Sequence, residues 1–128
     1  MLHSTHKGQL FFAVANNQNK TLNIVKMLLE NYEYRVVDLG RDVDPHEIVR
    51  IAKEQNIRLI GLSALMTTTV KAMEQTINLL KEEIPDAKTF VEGAVLTPEY
   101  AETIGATWYA KDAAESARIA EAFFSANK

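Results

Sequence analysis

The run Leu59-Ile60-Gly61-Leu62-Ser63 is apolar on both of the faces a strand would present. A strand of that kind must be covered from two sides, which places it at the centre of a parallel sheet carrying helices on both faces. Four more short β-type runs accompany it: Leu10–Val14, Tyr34–Leu39, Thr89–Val91 leading into Glu92-Gly93-Ala94, and Ala106–Tyr109. Helical spacing fills the intervals between them. Ile24, Val25, Leu28 and Leu29 share one side of a pattern from about Lys20 to Tyr32, and Ile48, Ile51 and Ala52 form a stripe ending near Asn56. Val70, Met73, Ile77 and Leu80 line a helix from roughly Val70 to Glu83, opened by Thr67-Thr68-Thr69 and stopped by Pro85. A short helix runs from Thr97-Pro98 to Gly105, and a last one carries Ala117, Ile119, Ala120 and Phe123 on its apolar side. Asp44-Pro45-His46-Glu47 and Asp112-Ala113-Ala114-Glu115 both read as capping boxes at helix starts. Strands alternating with helices through short loops predict an α/β, Rossmann-like (flavodoxin-like), doubly wound five-stranded parallel sheet of order 2-1-3-4-5.

That order puts the topological switch between strands one and three, so the ligand crevice is lined by Ala15–Thr21 and Ser63–Thr68. These are the two most polar strand ends in the chain. Asn16, Asn17, Gln18 and Asn19 bring amide donors and acceptors, with no strong base, nucleophile or good metal ligand among them. The same residues also suit an Asn-rich turn bonded to its own main chain. Ser63 has no histidine in either corner, which leaves Ser/His/Asp catalysis without support. His46 belongs to a helix start and is expected to face solvent; His3 and His6 lie in a polar tail. Asp38, Asp42 and Asp44 resemble the acidic cluster of a receiver domain, yet the first corner holds Asn16 and Asn17 where acids are needed. It also holds no glycine, so a phosphate cradle is poorly supported.

With 128 residues, a single domain is expected, divided as a tail over 1–8 and a domain over 9–128. A net charge of −3 without a basic face argues against nucleic acid. The absence of cysteine excludes disulfides and thiolate chemistry. No apolar stretch approaches the ~20 residues of a membrane span and no secretory segment is recognisable, so a cytoplasmic protein is expected.

From about Gly8 to Phe123 the chain resembles the cobalamin-binding domain of methionine synthase and of small corrinoid proteins in methyltransferase systems. The resemblance is carried by Tyr34-Arg35-Val36-Val37-Asp38-Leu39-Gly40, Asp44-Pro45-His46-Glu47-Ile48, Ile60-Gly61-Leu62-Ser63-Ala64-Leu65-Met66-Thr67, Glu92-Gly93-Ala94-Val95-Leu96-Thr97 and Gly105–Ala113. The family's first corner reads Asp-x-His-x-x-Gly, its third strand ends in Ser-x-Leu and its fourth in Gly-Gly. Its histidine is the lower cobalt ligand, displacing a dimethylbenzimidazole base that drops between sheet and helices. Aligned on Asn23-Ile24-Val25, these positions are Asn16, Gln18 and Thr21 here, so the cobalt-ligand position holds Gln18 and no metal ligand is expected. Ser63-Ala64-Leu65 keeps the third-strand pattern, while Glu92-Gly93 keeps only the second glycine.

The resemblance therefore implies a cobalamin (corrinoid) cofactor bound without a histidine lower ligand, its binding weakened or lost. The implied cofactor-binding residues are Asn16, Asn17, Gln18, Thr21, Ser63, Leu65, Thr67, Glu92, Gly93 and Ala94. The chain would be a carrier module that is not catalytic alone, served by methyl-donor and methyl-acceptor protein modules. The alternative is a degenerate domain that has lost the corrinoid and serves in protein interaction or small-ligand sensing.

Overall fold

The computed structural model describes residues 8–14, 27–32, 34–41, 44–63, 67–93 and 96–126, of which 8–14, 38–41, 67–69 and 126 are described by backbone alone. β1 spans Gly8–Val14, α1 is described over residues 27–31, and β2 spans Tyr34–Arg41. Then follow α2 (Pro45–Gln55), β3 (Leu59–Ser63), α3 (Thr67–Glu83), β4 (Lys88–Glu92), α4 (Pro98–Thr103), β5 (Trp108–Tyr109) and α5 (Ala113–Ala126). The strands form one five-stranded sheet of order β2-β1-β3-β4-β5 with every pairing parallel, as the alternation predicts. β3 is buried at all its residues, the pattern demanded by its two apolar faces.

Side-chain alternation sorts the core into two layers. Ile60 and Leu62 of β3 and Val91 of β4 pack with Ile48, Val49 and Ala52 of α2 and with Val70, Met73, Ile77 and Leu80 of α3. Leu59 and Phe90, which point the other way, pack with Leu29 of α1 and with Ala117, Ala120 and Phe123 of α5. Each large apolar side chain so buried contributes about 1.5–3 kcal/mol against the entropy of ordering it. Gly61 sits on the second layer. A Cβ built there would lie 2.5 Å from Phe90 Cζ, so glycine is what leaves room for the far edge of the Phe90 ring against β3.

The element ends differ from expectation where hydrogen bonds outrun side-chain pattern. α3 begins at Thr67 rather than Val70, because threonines are poor helix interiors but acceptable in a first turn. β2 continues through Gly40 to Arg41, and β5 is confined to Trp108–Tyr109, Ala106 being held by the Ala101 carbonyl of the preceding helix. Neither capping box closes. Asp44 accepts from the His46 N–H at 2.8 Å, but Glu47 turns forward to Arg50 instead of back to the cap. Asp112 likewise accepts from the Glu115 N–H at 2.8 Å, while the Glu115 carboxylate takes Arg118 at 2.9 Å. In both cases a guanidinium one turn on outcompetes the cap N–H for the carboxylate. No described helix is long and apolar enough to cross a membrane.

Candidate functional site

Ser63 ends β3 and Glu92 ends β4, and in the parallel register the two are partners; Val14, the last residue of β1, partners Ser63 from the other side. The C-terminal ends of β1, β3 and β4 thus finish at one level. Alternation gives Ser63 the same face as Leu59 and Gly61, and gives Glu92 the same face as Phe90. Both side chains are consequently turned toward the layer of α1 and α5, and both are buried, Ser63 at 0% and Glu92 at 5% exposure. A carboxylate held so far from water is costly unless it is hydrogen-bonded or meets a donor. Next to it, Gly93 has φ +147°, a backbone conformation that L side chains rarely adopt.

The roof of this corner is the start of α5. Ala110 follows β5 directly and donates its N–H to the Val91 carbonyl at 2.9 Å, beside Glu92. Three residues later α5 begins and runs back over the sheet, its inner side built from Ala113, Ala117 and Ala120 before Phe123 and Phe124 fill the far end. Ser116 lies among these alanines at 0% exposure, and its Oγ has no hydrogen-bond partner. Sequence reasoning passed over Ser116. The available signal was a lone hydroxyl set among alanines on a helix face that packs against the sheet.

Of the residues singled out from sequence, the structure brings Ser63, Glu92 and Gly93 together at the strand ends. Thr67 is the first residue of α3, described by backbone only. Asn16, Asn17, Gln18, Thr21, Leu65 and Ala94 lie outside the described residues. His46 is exposed at the second position of α2, as expected, and Met73 is core at 1% exposure. Two grooves among the described residues are lined by other side chains. One of about 580 Å³ runs along the β5 edge, lined by Trp108, Tyr109, Glu99, Glu102 and Glu115. The other, about 290 Å³, lies between α2 and α3 around His46, Arg50, Lys53 and Glu83, where Lys53 and Glu83 pair at 2.6 Å. That pairing holds the Glu83 carboxyl below the usual range. Neither groove includes a residue singled out as a ligand contact from sequence.

Comparison with known proteins adds an independent line. The family model of the B12 binding domain matches residues 16–120. Dimethylamine corrinoid protein 1 of Methanosarcina mazei is 44% identical over 96 residues, which cover 73% of this chain and 44% of the relative. Among solved structures, a cobalamin-binding protein from Desulfitobacterium hafniense superposes with a TM-score of 0.86 at 27% identity, covering 91% of this chain and 58% of that one. The methanol:cobalamin methyltransferase complex MtaBC from Methanosarcina barkeri gives 0.88 at 29% identity, over 94% of this chain and 47% of the matched chain. This chain spans about half the length of such relatives, 44% in the first case.

Proposed function

Since this chain belongs to the B12 binding domain family, we propose that it binds a corrinoid at the C-terminal ends of β1, β3 and β4, without a histidine lower ligand, as a carrier module of a methyltransferase system. The observation that carries this reading is the pair of buried polar residues Ser63 and Glu92 at adjoining strand ends, on the face that α5 covers, with the Ser116 hydroxyl of that helix unbonded. A hydroxyl buried without a partner costs about 1–3 kcal/mol, and a ligand group arriving at that corner would recover part of it. The described residues therefore offer a ligand polar groups at the strand ends.

Ser63 would hold the ligand from the sheet side, Gly93 would leave room for it against the backbone, and Ser116 would meet it from the helix. A bound corrinoid supplies a cobalt centre that accepts and passes on a methyl group. The chain's own contribution is to hold that ligand and present it. At the ligand position Gln18 offers an amide, a far poorer donor to cobalt than imidazole, and Asn16 replaces the carboxylate that would support one. Methyl-donor and methyl-acceptor proteins would supply the catalysis, since the described strand ends present no paired base and nucleophile.

One observation favours the rival reading of a domain that has given up the corrinoid for protein interaction or small-ligand sensing: the carboxylate of Glu92 is buried at the very corner the ligand would enter. Incubation with hydroxocobalamin followed by gel filtration separates the two. Retention of a coloured complex, with a cob(II)alamin spin-resonance spectrum free of protein-nitrogen coupling and unchanged in variants of His3, His6 and His46, supports the carrier. Failure to retain any corrinoid at tens of micromolar supports the rival. Coupling traced to one of those histidines would show that the lower ligand has been misassigned.

A further inference from the structure

β5 closes one edge of the sheet, and no described strand pairs with its outer side. The groove of about 580 Å³ along that edge takes its walls from α4 and α5. Its size falls within the roughly 300–1,000 Å³ of ordinary binding clefts. The two walls belong to different layers of the core. Ala101 of α4 packs in the first layer with Tyr109, whereas Ala113 and Ala117 of α5 pack in the second with Trp108. The groove therefore reaches both faces of β5 from its open edge.

Every charged side chain that lines the groove is a glutamate: Glu99 and Glu102 on the α4 wall, Glu115 on the α5 wall. Arg118 answers Glu115 at 2.9 Å. Glu99 and Glu102 are exposed, stand one helical turn apart, and form no ion pair among the described residues. Glutamates on a surface mark no site by themselves; here two of them flank an unpaired strand edge that also presents a tryptophan. A segment laid beside β5 in extended form turns successive side chains to opposite faces. Its residues two apart lie about 6.6 Å from each other, close to the roughly 5–6 Å between helix positions i and i+3. Alternate cations of such a segment thus match Glu99 and Glu102 on the α4 wall. The residues between them face Trp108 and the already neutral pair of Glu115 and Arg118, which suits apolar side chains. β5 is only two residues long, so main-chain bonding is limited and charge does the selecting.

We propose that the β5 edge is a docking site for an extended segment of a partner protein in which lysine or arginine alternates with apolar residues. The segment adds as a further strand beside Trp108 and Tyr109, and its cations pair with Glu99 and Glu102. No strand-end residue assigned to the corrinoid lines this groove, so the inference stands or falls independently of corrinoid binding.

Trp108 is the chain's only tryptophan and lines the groove, so its emission reports occupancy directly. The full chain is titrated with three blocked peptides, Lys-Val-Lys-Val-Lys, Glu-Val-Glu-Val-Glu and Lys-Pro-Lys-Pro-Lys, and with spermidine. The lysine–valine peptide alone should change the emission saturably, with affinity that falls as salt is added. Combining Glu99→Gln with Glu102→Gln should weaken that binding about three-fold or more. No response to the lysine–valine peptide, an equal response to the glutamate peptide, or undiminished binding in the double variant overturns the site. An equal response to the proline peptide or to spermidine shows attraction of cations without strand addition, and overturns the extended segment. Sedimentation supplies the last arm. Self-association of the parent protein that the double variant loses would assign this edge to the Arg35-bearing β2 edge of a second copy, and overturn the partner protein.

Discussion

Gly61 and Glu92 show at the scale of single residues how one atom or one charge decides what a position does. The Phe90 ring occupies the space where a Gly61 Cβ would stand, with Cζ at 2.5 Å and both Cε atoms at 2.9 Å, and the ring is fully buried and has nowhere to swing. Gly61→Ala should therefore lower stability by about 1–3 kcal/mol through overpacking. Combining it with Phe90→Leu should recover part of the loss, and a double-mutant cycle by urea denaturation measures the coupling. Additive losses would show that the ring does not transmit the clash. Glu92 raises the opposite question. Glycine at its position would remove both a buried carboxylate and its bulk from the strand end. Glu92→Gly should tighten hydroxocobalamin binding by on the order of 1–2 kcal/mol, about ten-fold, with the far-ultraviolet spectrum unchanged. Unchanged or weaker binding in a titration of both proteins would place the carboxylate outside the ligand's path.

The element whose attachment is best defined is α5, which spans the sheet from the strand ends to the opposite rim. Its far end is tied down by aromatic contacts, Tyr34 stacking on Phe124 at 5.3 Å and Trp108 meeting Phe123 edge-on at 6.4 Å. The Tyr34 hydroxyl also donates to Glu121 at 2.7 Å, joining the start of β2 to the last turns of α5. Burial, and then the Glu121 carboxylate that accepts its proton, hold the Tyr34 phenol well above its ordinary value of 10.0. A phenol pKa that is higher folded than unfolded contributes stability that is complete below the unfolded value and is lost as pH climbs beyond it. The protein should accordingly lose stability from about pH 10 upward, the ordinary phenol value. Tyr34→Phe should be less stable at neutral pH yet flatter across that alkaline range, as followed by melting temperature between pH 8 and 11. A parallel decline in both proteins would assign the alkaline loss to another group.

For the whole molecule, the two core layers share only the sheet, and the candidate site lies at the C-terminal ends of its strands. A ligand that contacts β3, β4 and α5 together binds the folded state alone, because those contacts do not exist in the unfolded chain. Hydroxocobalamin at a hundred times its dissociation constant should therefore add about 2.7 kcal/mol of stability. The expected readout is a melting temperature that rises by several degrees and scales with the logarithm of ligand concentration. A melting temperature indifferent to the corrinoid would favour the interaction-module reading.

The strand order, the central position of β3 and most of the core were legible in the residues themselves. Periodicity is a local property, and a run such as Leu59–Ser63 can satisfy both of its faces in few other ways. Ile48, Met73, Ile77, Leu80, Ala120 and Phe123 are buried for the same local reason. Helix starts were legible only on the cap side: Asp44 and Asp112 accept backbone N–H groups as their position predicts, but the turn of Glu47 and Glu115 toward Arg50 and Arg118 follows from which cation lies within reach. From the strand order alone the crevice was expected at Ala15–Thr21 and Ser63–Thr68, and Glu92 entered only through the family resemblance; the parallel register makes Ser63 and Glu92 partners. That both share the α5 face, and that Ser116 comes to rest above that face without a partner, was decided by packing alone. Whether a buried hydroxyl finds an acceptor depends on what fifty residues of intervening chain bring against it, and no local pattern records that.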